Sequence, residues 1–351
     1  MNPIYYFVLF VGCIALSYGL LRLLLLKSYG LLAMDVPNIR SLHNAPVPRG
    51  GGLVIVLIIL VACIGLQLVI PESVVPPLWI ALLVTVTGVI GWLDDFKDLS
   101  VLLRIILQLS CAIILLTLFD LPHSIYVGGA RYSLNVDSAL VNACVYLFLI
   151  VWVVWMTNLF NFMDGVDGLV MVQALVAALT LALWFGSRES NVLLVLNLCL
   201  AGGILGFGLL NWHPAKIFLG DVGSLALGSY FGLMAIIGWI QYQISFDVFI
   251  LLYGLFFFDA TITLLRRMLS RQRWWEAHTS HFYQRAYRLG YNHRQITIMA
   301  TVICLVLAAL SSASFYSNRY AFVWTLGSII VLASCGTVIK IKEKQVTASR
   351  N

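Results

Sequence analysis

The stretch "GWLDDFKDLS", residues 91–100, sets Asp94, Asp95 and Asp98 directly behind an apolar run. On a continuing helix Asp94 and Asp98, four apart, share a face, while Asp95 points about a quarter-turn away. Taken alone, this is an ordinary hydrated helix end with Lys97 balancing part of the charge. Two further acidic loops weaken that reading. "NLFNFMDGVDGL" holds Asp164 and Asp167 three apart, beside Gly165 and Gly168, and "FLGDVGSLALG" brackets Asp221 between Gly220 and Gly223. Carboxylates gathered where helices meet repel one another unless a cation or proton intervenes. An oxygen-rich site of this kind suits Mg²⁺, which commonly joins one or two carboxylates to substrate phosphate. Glycines beside the acids favour bends that expose backbone to a ligand. The plainer alternative is a set of simple turns, with Ser224 capping the helix that follows. Asn158 and Asn161 add neutral amides able to read a base or a sugar.

Two other stretches carry polar chemistry. "PVPRGGG", residues 46–52, offers Arg49 as a charged donor and three glycines as accessible amides, or Arg49 as a mere interfacial anchor. It lacks the lysine of a P-loop, so ATP hydrolysis is not inferred. In "AHTSHFYQR", His278 and His281 stand three apart near Glu276. The HExxH zinc pattern is absent, and the neighbouring Arg and aromatic residues fit a phosphate and a planar base instead. Trp274 and Trp275 suit the headgroup level of a membrane. Asp259 falls inside an apolar run, where a carboxylate is normally shielded by a partner. Arg266 is about two turns further on and reaches it only by bending, so the role of Asp259 stays open.

The elements that must position these residues are transmembrane helices. The chain has 351 residues, 61% hydrophobic and 10% charged, with a mean hydropathy of +0.97; a soluble domain carries about 25% charged residues. Apolar stretches long enough to cross a bilayer as helices recur throughout. They lie near 4–26, 51–70, 76–93, 101–118, 139–157, 168–185, 191–210, 224–242, 246–265, 295–314 and 321–339, eleven in all. The expected fold is therefore all-α, a polytopic transmembrane bundle forming a single domain over residues 1–351. The first stretch lacks a basic start and a small-residue cleavage site, so it reads as a retained span and not a secretory signal. "AGGILGFG" permits close helix packing. The seven cysteines sit mostly in apolar runs and read as small buried hydrophobes.

Basic residues give orientation. Lys27, Arg40, Arg49, Lys97, Lys216, Arg266, Arg267, Arg271, Arg273, Arg285, Arg288, Lys340, Lys342, Lys344 and Arg350 fall in alternate loops and the tail. The opposite loops hold only Arg131, Arg188 and Arg319. By the positive-inside rule the N-terminus is periplasmic and the C-terminus cytoplasmic. The net charge of +6 is thus a topology signal and not a nucleic-acid footprint. Every polar motif falls on the cytoplasmic side.

The ordered set "PVPRGGG", "GWLDDFKDLS", "NLFNFMDGVDGL", "FLGDVGSLALG" and "HTSHFYQR", spanning about residues 35–295, resembles the polyprenyl-phosphate hexose-1-phosphate transferases. That family includes phospho-MurNAc-pentapeptide transferase and the GlcNAc-1-phosphate transferases of envelope polysaccharide synthesis. The resemblance implies a bacterial inner-membrane enzyme with a cytoplasmic site. Such an enzyme moves an N-acetylhexosamine-1-phosphate from a UDP-sugar to undecaprenyl phosphate, using Mg²⁺ (with Mn²⁺ as a substitute) and releasing UMP. It implies catalytic roles for Asp94, Asp95, Asp221 and His281, with Asp94 activating the lipid phosphate. Asp221 and Asp95 become the metal ligands. Arg49, Asn158, Asn161, Asp164, Asp167 and His278 fall on the nucleotide-sugar side. "HTSH" stands where the pentapeptide transferases have consecutive histidines. That favours GlcNAc, FucNAc or QuiNAc donors and an O-antigen or capsule product over peptidoglycan or teichoic-acid precursors. A homodimer is left open by these motifs. The rival class is a transporter, which would concentrate its binding groups near the midplane; here they lie in loops on one face.

Overall fold

The computed structural model describes residues 3–26, 32–37, 42–43, 45–71, 73, 76–117, 119–273, 275–276, 278–317 and 320–348. Lys27, Arg40, Trp274, Arg319 and Arg350, used above for orientation or anchoring, lie outside the described residues.

The chain folds as the expected helical bundle. Its first half runs α1 (Pro3–Leu26), β1 (Met34–Asp35), β2 (Val47–Pro48), α2 (Gly52–Val69), α3 (Pro77–Lys97), α4 (Val101–Leu116), β3 (Ser124–Val127), β4 (Ala130–Ser133) and α5 (Ala139–Phe162). The second half is helical throughout: α6 (Leu169–Ser187), α7 (Asn191–Asn211), α8 (Gly220–Gln241), α9 (Phe246–Leu252), α10 (Gly254–Leu269), α11 (Phe282–Arg288), α12 (His293–Tyr316) and α13 (Ala321–Ala348). Among the described residues nine helices are long and apolar enough to cross a membrane. The other two expected spans depart from the simple form. The ninth is broken into α9 and α10, which meet at 85°, and the fourth is the short helix α4. At 16 residues and about 1.5 Å per residue, α4 falls short of a hydrocarbon core of about 30 Å.

Helix α8 is the hub. Its whole apolar window is enclosed, and α3, α5 and α2 pack around it. Its sequence is rich in Gly, Ala and Ser, which lets neighbouring backbones come close where hydrocarbon offers no hydrophobic drive between helices. A Cβ at Gly228 would meet the Met156 carbonyl at 2.4 Å. The "AGGILGFG" stretch plays the same part on α7, where Gly202 and Gly206 lie against the α1 backbone at Phe10 and Ile14. The outward faces are apolar, with Phe7, Leu140, Leu183 and Phe322 each more than 60% exposed. Such a belt belongs in lipid. The β3–β4 hairpin packs at the far end of α8: Trp239 Nε1–H donates to the Tyr126 carbonyl and the Gly128 amide donates to Asp247. The motif loops gather at the opposite end. The seven cysteines are unpaired; Cys144 is exposed, unlike the buried set expected, because the α5 face that carries it looks outward.

Candidate active site

The site begins where α3 ends against the start of α8. Gly91 has no side chain to hold the two helices apart: a Cβ there would lie 2.2 Å from the Asp221 carbonyl oxygen. Gly220 takes φ +75, a left-handed turn that glycine adopts without steric cost. This turn delivers the first amides of α8 to Asp95. The Asp221 and Val222 N–H groups donate to Asp95 Oδ1 and Oδ2 at 3.1 and 3.3 Å. Asp95 therefore caps α8 from another helix and satisfies donors that a helix start leaves orphaned. Its side chain is 3% exposed, so Asp95 supports Asp221 and presents little surface of its own. Ser224, expected as the cap, instead lies one turn inside α8, fully buried, and accepts from Asn161 Nδ2 at 3.1 Å. The helix starts earlier than expected because the cap comes from α3.

Asp94 is held from two sides, accepting the Leu99 amide at 2.7 Å and Arg104 Nη1 at 2.6 Å. The same Nη1 lies 3.7 Å from Asp221. Asp98 does not share a face with Asp94. The helix closes at Lys97, and Asp98 is its exposed C-cap at φ 46. Arg104 was not singled out from the sequence, although a lone arginine inside "VLLRIILQLS" was a usable signal.

Arg49 pairs with Asp35 at 2.7 Å and lies 3.9 Å from Asp95. Burial works against its charge, but Asp35 outweighs that and keeps the guanidinium protonated. Asp35 reaches it because β1 pairs antiparallel with β2, which ends next to Arg49. The glycine amides beside Arg49 are not free for a ligand, contrary to expectation. Gly50 and Gly51 donate to the Phe218 carbonyl and Gly52 to that of Leu219. These glycines serve close approach, since a Cβ on Gly52 would sit 2.1 Å from the Gly223 Cα.

Between these pieces lies a cavity of roughly 240 Å³, walled by Asp35, Arg49, Asp164, Asp167, Phe218, Asp221, Gln284 and His293 among others. Asp164 offers it a carboxyl with no hydrogen bond or ion pair among the described residues. Burial, then the negative charge of Asp95, pushes that carboxyl up to about 7. Asp167 is the reverse case. Burial alone would raise it, but hydrogen bonds with His293 and His213 hold it below the usual carboxylate range. His213 Nδ1 stands 2.6 Å from its Oδ2 and His293 Nδ1 3.3 Å from its Oδ1. The three ligand atoms lie within 4.8 Å of one another. However, 2.6 Å is a hydrogen bond and is closer than two atoms bound to one tetrahedral cation, about 3.3 Å apart. Neither histidine was anticipated from sequence. Oxygen donors at the wall fit Mg²⁺ better: Asp221 and Asp164 are carboxylates without amide partners, on a wall shared with Arg49. Asn158 is not at this cavity. Its Nδ2 is spent on Gln108 Oε1 at 2.6 Å and on the Val154 carbonyl.

The histidine loop is anchored by Asp259, whose role the sequence left open. Asp259 accepts the Phe282 and Tyr283 amides at 2.9 and 3.2 Å and faces His281 Nδ1 at 3.1 Å. It is a buried cap for α11. Arg266 holds the same loop from the other side, through the Ser280 carbonyl at 2.8 Å. Arg285 of α11 is buried in a bidentate pair with Glu343 of α13. His281 is buried and its loop neighbour His278 bonds Ser280; Gln284, and neither histidine, lines the cavity. Burial, then the charge of His281, Arg267 and Arg266, depresses His278 to about 4, so it is neutral at physiological pH. Replacing Asp259 with asparagine puts an NH₂ against one of these donors. Each unmet buried group costs about 1–3 kcal/mol. Hydrogen exchange at the Phe282 and Tyr283 amides is expected to speed up about tenfold or more, with the bundle still folded.

This geometry can be set beside known proteins. The family model for glycosyl transferase family 4 matches residues 77–239, which include Asp94, Asp95, Asp164, Asp167 and Asp221. Over this stretch the chain is similar to glycosyl transferase family 4. Among its relatives, the chain is 29% identical over 303 residues to a probable undecaprenyl-phosphate N-acetylglucosaminyl 1-phosphate transferase of Bacillus subtilis, covering 83% of this chain and 79% of that one. It is 26% identical over 346 residues to a decaprenyl-phosphate N-acetylglucosaminephosphotransferase of Mycobacterium leprae, covering 89% and 84%. A phospho-N-acetylmuramoyl-pentapeptide-transferase of Lactococcus lactis is 30% identical over 208 residues, covering 55% and 60%.

Proposed function

We propose that this protein transfers an N-acetylhexosamine-1-phosphate from a UDP-sugar to undecaprenyl phosphate at the cytoplasmic face of a bacterial inner membrane. The observation that carries this reading is the gathering of Asp94, Asp95, Asp164 and Asp221 with Arg49 and Arg104 at one end of a lipid-facing bundle. Alternating acids and guanidinium groups suit two anionic phosphates and a bridging Mg²⁺, one phosphate arriving from water and one from lipid. The two GlcNAc-phosphate relatives align over most of the chain and the pentapeptide relative over about half, which favours a simple N-acetylhexosamine donor. With "HTSH" in the histidine loop, the reading extends to O-antigen or capsule initiation.

A lipid phosphate oxygen attacks the β-phosphorus of the donor, the bond from that phosphorus to the bridging oxygen breaks, and UMP leaves with the electron pair. A phosphomonoester has a second pKa of about 6, so at neutral pH the nucleophile is already ionised and needs no strong base. Asp221 and Asp164, on one cavity wall, would hold Mg²⁺, with Asp95 fixing the backbone that carries Asp221; the ion would supply neutralisation of charge on the diphosphate. Arg49 would bind donor phosphate, and the Phe218 ring beside His43 offers a face for the base. Asp94, with both oxygens committed to Leu99 and Arg104, is poorly placed to become a covalent phosphosugar carrier, which favours direct attack.

Purified protein should release UMP only when Mg²⁺, undecaprenyl phosphate and a UDP-N-acetylhexosamine are all present. A panel of UDP-GlcNAc, UDP-FucNAc, UDP-QuiNAc and UDP-MurNAc-pentapeptide, read by the mass of the lipid product, identifies the sugar. Solute transport without any UMP would overturn the reading, and a phosphosugar-enzyme adduct trapped with donor alone would overturn direct attack.

A further inference from the structure

The cavity that suits the donor leaves the acceptor's headgroup without a receptor. Neither Asp94 nor Arg104 lines that cavity. Both lie where α3 meets α4, and α4 is the short helix whose outer face is bare. Val101, Leu102, Leu103, Ile105 and Ile106 are all exposed, while Gln108, Ala112, Leu115 and Leu116 are buried. Arg104 is the single charge on this helix. It turns from the lipid-facing surface onto Asp94 and Asp221, and among the described residues its side-chain contacts pass through one nitrogen, Nη1. About 28% of the side chain remains exposed. A guanidinium has five donors in a planar fork that matches phosphate, and here only Nη1 has a side-chain partner among the described residues.

A second observation lies one turn deeper. Gln108 is buried on the same face of α4, takes Asn158 Nδ2 on its Oε1, and has no partner for Nε2 among the described residues. The pair ties α4 to α5 beneath Arg104 and leaves one buried donor unspent, a local polar shortage of electron pairs where a purely structural contact would be satisfied.

We propose that Arg104 is the receptor for the phosphomonoester of the lipid acceptor, with Gln108 and Asn158 positioning α4 beneath it. The assignment rests on the reading above that the acceptor is a lipid phosphate. It moves Asn158 from the donor side to the acceptor side. It also gives Asp94 a definite duty: holding Arg104 between the acceptor and Asp221.

The experiment measures binding in detergent with farnesyl phosphate, its uncharged counterpart farnesol, and UDP-GlcNAc. The wild-type protein should bind farnesyl phosphate at least tenfold tighter than farnesol. Arg104→Gln should lose at least tenfold in farnesyl phosphate affinity and keep UDP-GlcNAc affinity within twofold. In turnover, the KM for undecaprenyl phosphate should rise while that for the UDP-sugar holds. A second measurement needs no variant: farnesyl phosphate, but neither farnesol nor UDP-GlcNAc, should protect Arg104 from phenylglyoxal, read by peptide mass. Wild-type affinity in Arg104→Gln, equal loss of both ligands, or absence of protection would overturn the proposal. A wild-type protein that neither binds farnesyl phosphate nor releases UMP would instead overturn the functional reading, and this assignment with it.

Discussion

Replacing Gly91 with alanine is expected to reduce UMP release by at least 100-fold while the protein still inserts as a helical bundle. The added methyl would lie 2.2 Å from the Asp221 carbonyl oxygen, 2.3 Å from its carbon and 2.6 Å from the Val222 nitrogen. All three are backbone atoms of the first turn of α8, so no side chain can swing aside. Overpacking of this kind costs about 1–3 kcal/mol, too little to unfold a bundle whose apolar helices have nowhere else to go. The strain must be relieved by sliding α8 away from α3. That motion breaks the Asp95 cap and moves the Asp221 carboxyl, and a misplacement of about 1 Å can cost about 100-fold in rate. Gly65→Ala on α2 is the control, because nothing lies within 4 Å of a Cβ there. It should keep wild-type rate and melting temperature. Full activity in Gly91→Ala would mean that the α3–α8 contact does not set the site.

How much of this was legible in the sequence depends on whether a residue acts through its own loop or through a distant one. The helical class and the convergence of the acidic loops follow from hydropathy and charge alternation, because a bilayer forces both. The acids themselves were legible as chemistry out of place at the end of apolar runs. Their partners were not. Asp35 reaches Arg49 only through a two-residue hairpin, and Arg104 reaches Asp94 only because α3 ends in a left-handed turn at Asp98. A straight helix would have pointed Asp98 there instead. His213 and His293 meet Asp167 across 46 and 126 residues, a contact no local spacing encodes. The glycines misled in a consistent direction. At Gly51 and Gly52 their purpose is close packing, against Phe207 and against the α8 backbone at Gly223, where the local pattern suggested open amides for a ligand. The depth of Asp259 within an apolar run left its role open. Its duty became visible only when α11 was seen to start on it.

Asp221→Asn is expected to lower kcat by about a thousandfold with little change in stability, and the contrast with Asp95→Asn is the informative part. Asp221 has no amide donor on its carboxyl among the described residues; its electrostatic neighbours are Arg104 at 3.7 Å, Asp94 and Asp95. Removing one unit charge about 4 Å from a cation, at the effective dielectric of a protein surface, is worth roughly 4 kcal/mol, or about a thousandfold in rate. The fold should not notice, because the Asp221 carboxyl holds no backbone amide among the described residues and α8 is capped by Asp95. The melting temperature should hold or rise, the pattern of a group kept for function at the expense of stability. Asp95→Asn should behave in the opposite way. An NH₂ would then face the Asp221 or Val222 amide, leaving a buried donor unmet at about 1–3 kcal/mol, so melting temperature and rate fall together. Raising Mg²⁺ should not rescue Asp221→Asn if its carboxylate is the metal's direct ligand. Activity within tenfold of wild type would remove Asp221 from that role and leave Asp164 as the carboxylate to test.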